Sequence, residues 1–277
     1  MSETSKTIEL GALRLEYLVY GKGSEVIICL HGHGRPASDF SFLENPERTV
    51  ISVFLFYHGN SFFPVDRIEK HPLKTSEFVE LFELLLQQEN IGNFHLFAFS
   101  QGGRFTLCLI PSLAERIKTI TLIAPDGMDN QSFYNWSSRQ KWARKLFVHY
   151  EKNPSRLLKV SKLAVKLNLM RPKVREFVDQ FASDAKSFRR ASYTWRAFRN
   201  LQPDNKKIAS ALKKYKIPFR IIMGSYDQVI RPKQAYFFAK NIEQEDCVVE
   251  IENGHNFFKN SSIPKFDKLL LFNELGS

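Results

Sequence analysis

The sequence predicts an α/β protein: a mostly parallel sheet with antiparallel strands at its N-terminus, helices on both faces, and one helical insertion. Three observations carry this. Short runs dense in Val, Ile and Phe recur without strict alternation, as strands buried on both faces require. Stretches with apolar residues at helical spacing separate them. The alternation is interrupted once, by a stretch that reads as wholly helical.

Taken in order, TIEL and RLEYLVYG flank the turn-like GA and form the antiparallel pair. VIICL (26–30) and TVISVFLF (49–56) follow as strands. LKTSEFVELFELLLQQENI places its apolar residues on one helical face, and FHLFAF (94–99) is the next strand, with QGGRFTLCLI as the helix behind it. TITLIA (119–124) precedes the insertion; FRIIMG (219–224), the helix RPKQAYFFAKNI, the strand CVVEIE (247–252) and the helix SIPKFDKLLLFNEL follow it. The organisation expected is a core of residues 1–127 and 204–277, and an insertion of residues 128–203 over one edge of the sheet. The insertion is broken at Asn153-Pro154 and Arg171-Pro172, since proline cannot continue a helix, and it holds Trp136, Trp142 and Trp195.

Charge is unevenly placed. Between Met128 and Ile217 there are 22 Lys/Arg against 6 Asp/Glu, a net of +16, while the whole chain carries +11. Phe is unusually frequent, at 25 residues, which suits a core or pocket lined by rings. No apolar run is long enough to span a bilayer, and MSETSKTIEL lacks the apolar stretch of a secretory signal. Cys29, Cys108 and Cys247 are isolated among apolar neighbours. They read as buried thiols in a reducing compartment, so the expected location is cytoplasmic, with neither a disulfide framework nor a zinc site.

The chemistry centres on LFAFSQGGRF. An alcohol attacks an acyl carbon well only if a base takes its proton and donors hold the resulting oxyanion. A sharp strand-to-helix turn exposes such a Ser, and it requires small residues two before and two after. Around Ser100 these are Ala98 and Gly102; the commonest form of the motif has Gly at the first position. The ordinary alternative is a Ser that caps a helix. The acid and then the His should follow in the chain. Only His149 and His255 lie beyond Ser100; His149 sits in the basic insertion and reads as surface, whereas His255 sits in the loop ENGHNFF after a strand. Asp227, in GSYDQVI at the end of FRIIMG, is the expected acid. Asp126, in LIAPDGM, competes with it, although Pro-Asp-Gly has a ready turn explanation. The oxyanion donors expected are the N–H groups of Gln101, which follows the Ser, and His33, in LHGHG after VIICL. The imidazole of His33 reads equally as a substrate contact or as solvated. Neither a metal nor an organic cofactor is required.

Two nucleotide readings fail. GHGRPA (32–37) fits a dinucleotide fingerprint, but the following strand ends without the acidic residue that would hold a ribose. No G-x-x-x-x-G-K-[ST] occurs, and no nucleic-acid partner is expected. The basic insertion leaves alternatives open. RLLKVSKLAVKL sets Leu157, Val160, Ala164 and Leu167 on one face and Lys159, Lys162 and Lys166 on another. The favoured reading is a helix that covers a site with solvated lysines; the alternatives are an anionic membrane contact or attraction of an anionic substrate.

With LHGHG, YHGNS, AFSQGG, IIMGSYDQVI and NGHNFF in order, the chain resembles the α/β-hydrolase superfamily over nearly its whole length. The resemblance implies the α/β-hydrolase fold, with residues 128–203 as a helical lid. It implies a serine hydrolase that cleaves a carboxylic ester or thioester, and the Phe and Trp content of the expected lid suggests a substrate with an apolar acyl part. A C–C bond hydrolase, a non-hydrolytic member of the fold and a silent ligand-binding protein are the alternatives it leaves.

Overall fold

A computed structural model describes residues 4–129, 137–151, 154–167 and 184–258. The predicted helix at 262–275, Trp136 and the Arg171-Pro172 break lie outside these residues. Among the described residues no helix is long and apolar enough to cross a membrane.

Eight strands form one sheet: β1 Thr4–Leu10, β2 Leu13–Tyr20, β3 Glu25–Leu30, β4 Arg48–Val53, β5 Phe94–Phe99, β6 Ile117–Ile123, β7 Phe219–Gly224 and β8 Val248–Ile251. Their order is β1-β2-β4-β3-β5-β6-β7-β8. The β1–β2 and β2–β4 pairings are antiparallel and the others parallel. From β3 the chain steps outward to β4, then returns to lay β5 on the other side of β3. The order therefore reverses between β3 and β5, and the loops at the carboxyl ends of those two strands open onto one crevice.

The helices are α1 Arg67–Lys70, α2 Thr75–Gln88, α3 Gln101–Leu113, α4 Lys141–Glu151, α5 Pro154–Lys166, α6 Ala185–Ala197, α7 Asn205–Tyr215 and α8 Pro232–Asn241. The chain divides into two compact units, Met1–Phe62 with Thr75–Asn130 and Leu201–Ser277, and Phe63–Lys74 with Gln131–Asn200.

The first unit holds the sheet with α2, α3, α7 and α8. Its core is aromatic: Phe40 packs on Phe97 at 5.6 Å, Phe78 on Phe105 at 4.7 Å and Phe82 on Phe94 at 5.7 Å, all buried. All three cysteines are buried there, and desolvation pushes the thiols of Cys108 and Cys247 up to about 12, far from reactive thiolates. β4 ends at Val53, three residues short of the sequence expectation. The reason is a contact 24 residues away in sequence: the Leu55 N–H donates to His31 Nε2 at 3.0 Å instead of to a neighbouring strand. Tyr57 then turns the chain with φ 68°.

The second unit packs α1, α4, α5 and α6. It buries Phe63, Ile68, Leu73, Phe188 and Phe198, with ion pairs beside them. Arg144 and Arg196, both buried, reach Glu69 at 2.9 and 3.1 Å, and Arg196 also holds Glu151 at 2.6 Å. Arg199 donates to the Ile68 and Glu69 carbonyls, tying α6 to α1. Burial pushes the Glu69 carboxyl up, but hydrogen bonds from the two arginines outweigh it and hold the group below the ordinary carboxylate value.

Candidate active site

Ser100 stands between β5 and α3 with φ 48° and ψ −115°, a conformation that L-residues rarely adopt. Three backbone bonds fix it: its N–H donates to the Ile123 carbonyl at 2.9 Å, and its own carbonyl accepts from Gly103 and Asp126. The helix-cap alternative does not hold, because the Ser100 side chain makes no cap hydrogen bond. The requirement for small residues is steric. A Cβ on Gly102 would lie 2.1 Å from the Leu30 carbonyl oxygen, and one on Gly103 2.3 Å from Pro125 Cβ. Ala98 fits at the earlier position, fully buried.

His255 follows β8, and its Nε2 lies 3.1 Å from Ser100 Oγ. Its Nδ1 lies 2.7 Å from Asp227 Oδ2. The other oxygen of Asp227 accepts from the Val229 and Ile230 N–H groups at 2.8 and 2.9 Å, so the buried carboxylate is held from both sides. A carboxylate at Nδ1 keeps the proton there and leaves Nε2 as the acceptor facing the Ser hydroxyl. The ring of Phe99 stacks 5.3 Å from the imidazole.

Asp126 is engaged elsewhere. Arg104 forks onto both its oxygens at 2.8 Å, and the Gly127 N–H donates to Oδ1. Arg104 is itself buried and also donates to the Leu201 carbonyl. Of the two competing acids, the structure brings Asp227 to His255. His149 lies exposed on α4 in the other unit.

Gln101 opens α3, where backbone N–H groups have no carbonyl within the helix. His33 lies in the loop after β3. Gly32 lets that loop approach, since a Cβ there would sit 2.6 Å from Phe99 and 3.2 Å from Ser100 Cβ. Gly34, at φ 74°, turns the loop, and its N–H donates to His58 Nε2 at 2.8 Å. The His58 ring stands 4.6 Å from that of His31 and 5.6 Å from that of His33. Both Nε2 atoms of His31 and His58 accept backbone N–H groups, and both Nδ1 atoms face carbonyls. Their lone pairs are spent on the loop. Among the described residues no group of three or more His, Cys, Asp or Glu is arranged to hold a metal.

Sequence reasoning missed the support beneath His58. Glu16 of β2 accepts from the Asn60 N–H at 2.6 Å and from Ser5 Oγ at 2.8 Å, pinning the YHGNS turn. Burial pushes this carboxyl up, and the hydrogen bonds from Asn60 and Ser5 more than offset it. A Cβ on Gly59 would lie 2.4 Å from Glu16 Oε2. The signal available for Arg104 was a lone cation in the otherwise apolar QGGRFTLCLI, which demands a partner. For Glu16 there was none, because its partner lies 44 residues away.

A sheet whose strand order reverses beside a strained Ser, with His and Asp delivered by later strand-end loops, defines a class of proteins. Residues 25–261 match the family described as alpha/beta hydrolase fold, and the chain belongs to that family. The fold is similar to that of MGS-M2, an alpha/beta hydrolase from a Medee basin deep-sea metagenome library, at 17% identity and TM-score 0.67, covering 98% of both chains. It is also similar to a thermophilic esterase from Thermogutta terrifontis at 15% identity and TM-score 0.66, covering 99% of this chain and 98% of that one. The thioesterase domain of the curacin biosynthetic pathway matches at 16% identity and TM-score 0.64, covering 98% of this chain and 100% of that domain. No curated protein matches the chain by sequence. Membership of this family supports hydrolase activity.

Proposed function

We propose that the protein is a serine hydrolase that cleaves a carboxylic ester or thioester through an acyl-enzyme. The observation that carries this is the chain of contacts from Ser100 Oγ to His255 Nε2 at 3.1 Å and from His255 Nδ1 to Asp227 at 2.7 Å. Ser100 Oγ attacks the carbonyl carbon as His255 takes its proton. The N–H groups of Gln101 and His33 receive the oxyanion. His255 then protonates the leaving alcohol or thiol, the carbonyl re-forms as an acyl-serine, and water activated by the same imidazole releases the acid. Asp227 holds the tautomer and stabilises the imidazolium.

Residues 128–203 act as a lid in this reading, and the acyl group is apolar, in keeping with the abundant Phe. A panel of p-nitrophenyl esters of increasing acyl length tests it, with a fluorophosphonate as label for the nucleophile. Turnover and labelling, both lost in Ser100→Ala, are expected, with kcat/KM rising as the acyl chain lengthens. Absence of both turnover and labelling in the wild type would favour a ligand-binding protein. Preference for short polar acyl groups would remove the apolar pocket.

A further inference from the structure

Helices α4 and α5 of the second unit turn the wrong residues outward for ordinary surface helices. On α5, Ser161 is buried and Leu158 and Val165 half-buried, which marks the inward face. Leu163 lies at the centre of the opposite face, with Val160 and Leu167 at helical spacing beside it. Lys159, Lys162, Lys166 and Arg156 border this strip and are exposed. α4 repeats the arrangement, with Ala143 and Arg144 buried while Trp142 and Leu146, four apart, lie outside with Lys141 and Lys145. Six large apolar side chains, Trp142, Leu146, Val148, Val160, Leu163 and Leu167, are thus 44–57% exposed on two consecutive helices. Such a concentration exceeds the scattered apolar residues of an ordinary soluble surface.

The charges beside them are not neutralised. None of Lys141, Lys145, Arg156, Lys159, Lys162 and Lys166 has a carboxylate partner among the described residues. Among the described acids of this unit, Glu69 and Glu151 hold the buried arginines, Asp184 caps α6, and Asp66 is exposed on the separate stretch Phe63–Lys74. Helix α4 lines an open pocket of about 390 Å³ with Lys141, Arg144, Lys145 and Val148, and Glu69 completes its lining.

A polyanion such as nucleic acid would use the cations but has no use for Leu163, Val160 or Leu146. A solvated helix needs neither in this number. One surface takes both at once. In the interface of an anionic bilayer, lysines reach headgroup phosphates and carboxylates while their stems and the Leu, Val and Trp side chains enter the acyl boundary. α5, with 13 residues, would lie in the plane with a length of about 20 Å. We propose that the outward face of α4 and α5 docks this protein on an anionic lipid bilayer.

This proposal is independent of the hydrolase reading, and it is tested on the full chain carrying Ser100→Ala, so that no turnover confounds binding. Co-sedimentation is measured with phosphatidylcholine vesicles alone and with about one third phosphatidylserine, across a salt series. Binding is expected to the anionic vesicles, to fall as salt rises, and to be absent with the neutral ones. Lys159→Glu, Lys162→Glu and Lys166→Glu together should weaken it by about 100-fold, and Leu163→Asp with Val160→Ser by about tenfold. Circular dichroism shows that each variant stays folded. No binding to anionic vesicles at low salt overturns the proposal. So does wild-type binding by the Leu163→Asp, Val160→Ser protein together with equal competition by DNA, since charge alone would then be at work. A third overturning result is that this double change, in the Ser100 enzyme, alters kcat/KM for a soluble ester and leaves vesicle binding intact. The face would then serve the substrate.

Discussion

The two units of this chain differ in what accompanies their buried apolar residues. The first is closed by buried rings and by backbone approaches that admit no Cβ, at Gly32, Gly102 and Gly103. The second adds to its buried Phe63, Ile68, Leu73, Phe188 and Phe198 a network in which buried Arg144 and Arg196 hold Glu69 and Glu151. Steric exclusion fixes positions to fractions of an ångström and is indifferent to pH and salt. Ion pairs position less sharply and depend on protonation. The unit that carries Ser100, His255 and Asp227 is the sterically closed one, which is what a reaction demanding fixed geometry requires.

The largest test removes the chemistry and leaves the packing. Ser100→Ala should lower kcat/KM for an activated ester by about 10⁴-fold or more, with the melting temperature unchanged. A drop of only a few-fold would detach the Ser from the chemistry. Steric closure is challenged next by Gly102→Val, whose Cβ would meet the Leu30 carbonyl at 2.1 Å. A loss of about 3 kcal/mol or more is expected in urea unfolding. Wild-type stability would show that the elbow can relax.

In the second unit Arg196→Met leaves Glu151 and part of Glu69 without a cation and should cost about 3 kcal/mol. Hydrogen exchange should rise across residues 141–151 and 185–197, while amides of β5 and β6 stay protected. Equal loosening of both regions would dissolve the contrast. Within the first unit, His58→Ala removes the acceptor for the Gly34 N–H. About a tenfold fall in kcat with little change in KM is expected, because the loop carrying His33, the proposed oxyanion donor, would be mispositioned rather than the substrate released. A change confined to KM would make His58 a substrate contact.

The smallest effect is a pH dependence. Glu69 is held below its ordinary value in the folded protein, so its contribution to stability is present above the unfolded carboxylate value near 4.5 and is lost as pH falls through the depressed one. Exchange in α4 and α6 should therefore quicken in acid before exchange in the sheet. The reverse order would show that the ion network does not set the second unit's stability.

The fold was legible because its signals are local. Val-, Ile- and Phe-rich runs ended at turn residues, so β5 and β7 fall on residues 94–99 and 219–224, as the sequence suggests. β4 was read too long because Phe54–Phe56 continue the apolar run, and only the distant ring of His31 shows why pairing stops. Ser100 announced itself through its small neighbours, and His255 through being the one histidine after a late strand outside the insertion. The sequence favoured Asp227 over Asp126 only through the Pro-Asp-Gly turn, since each follows a strand; in the structure Arg104 occupies Asp126. The division of the second unit was also hidden, because Phe63–Lys74 joins it from before α2 and brings Glu69 to Arg144 and Arg196.

The sequence by itself determined the order of strands and helices, the candidate Ser, His and acids, and the basic excess of the insertion, because periodicity, turn residues and charge are written along the chain. Tertiary structure alone decided which acid meets the imidazole, which backbone approaches forbid a side chain, and which face of α5 turns outward. Those are contacts between residues tens to more than a hundred positions apart, and one residue's rotation on a helix decides whether Leu163 is core or surface.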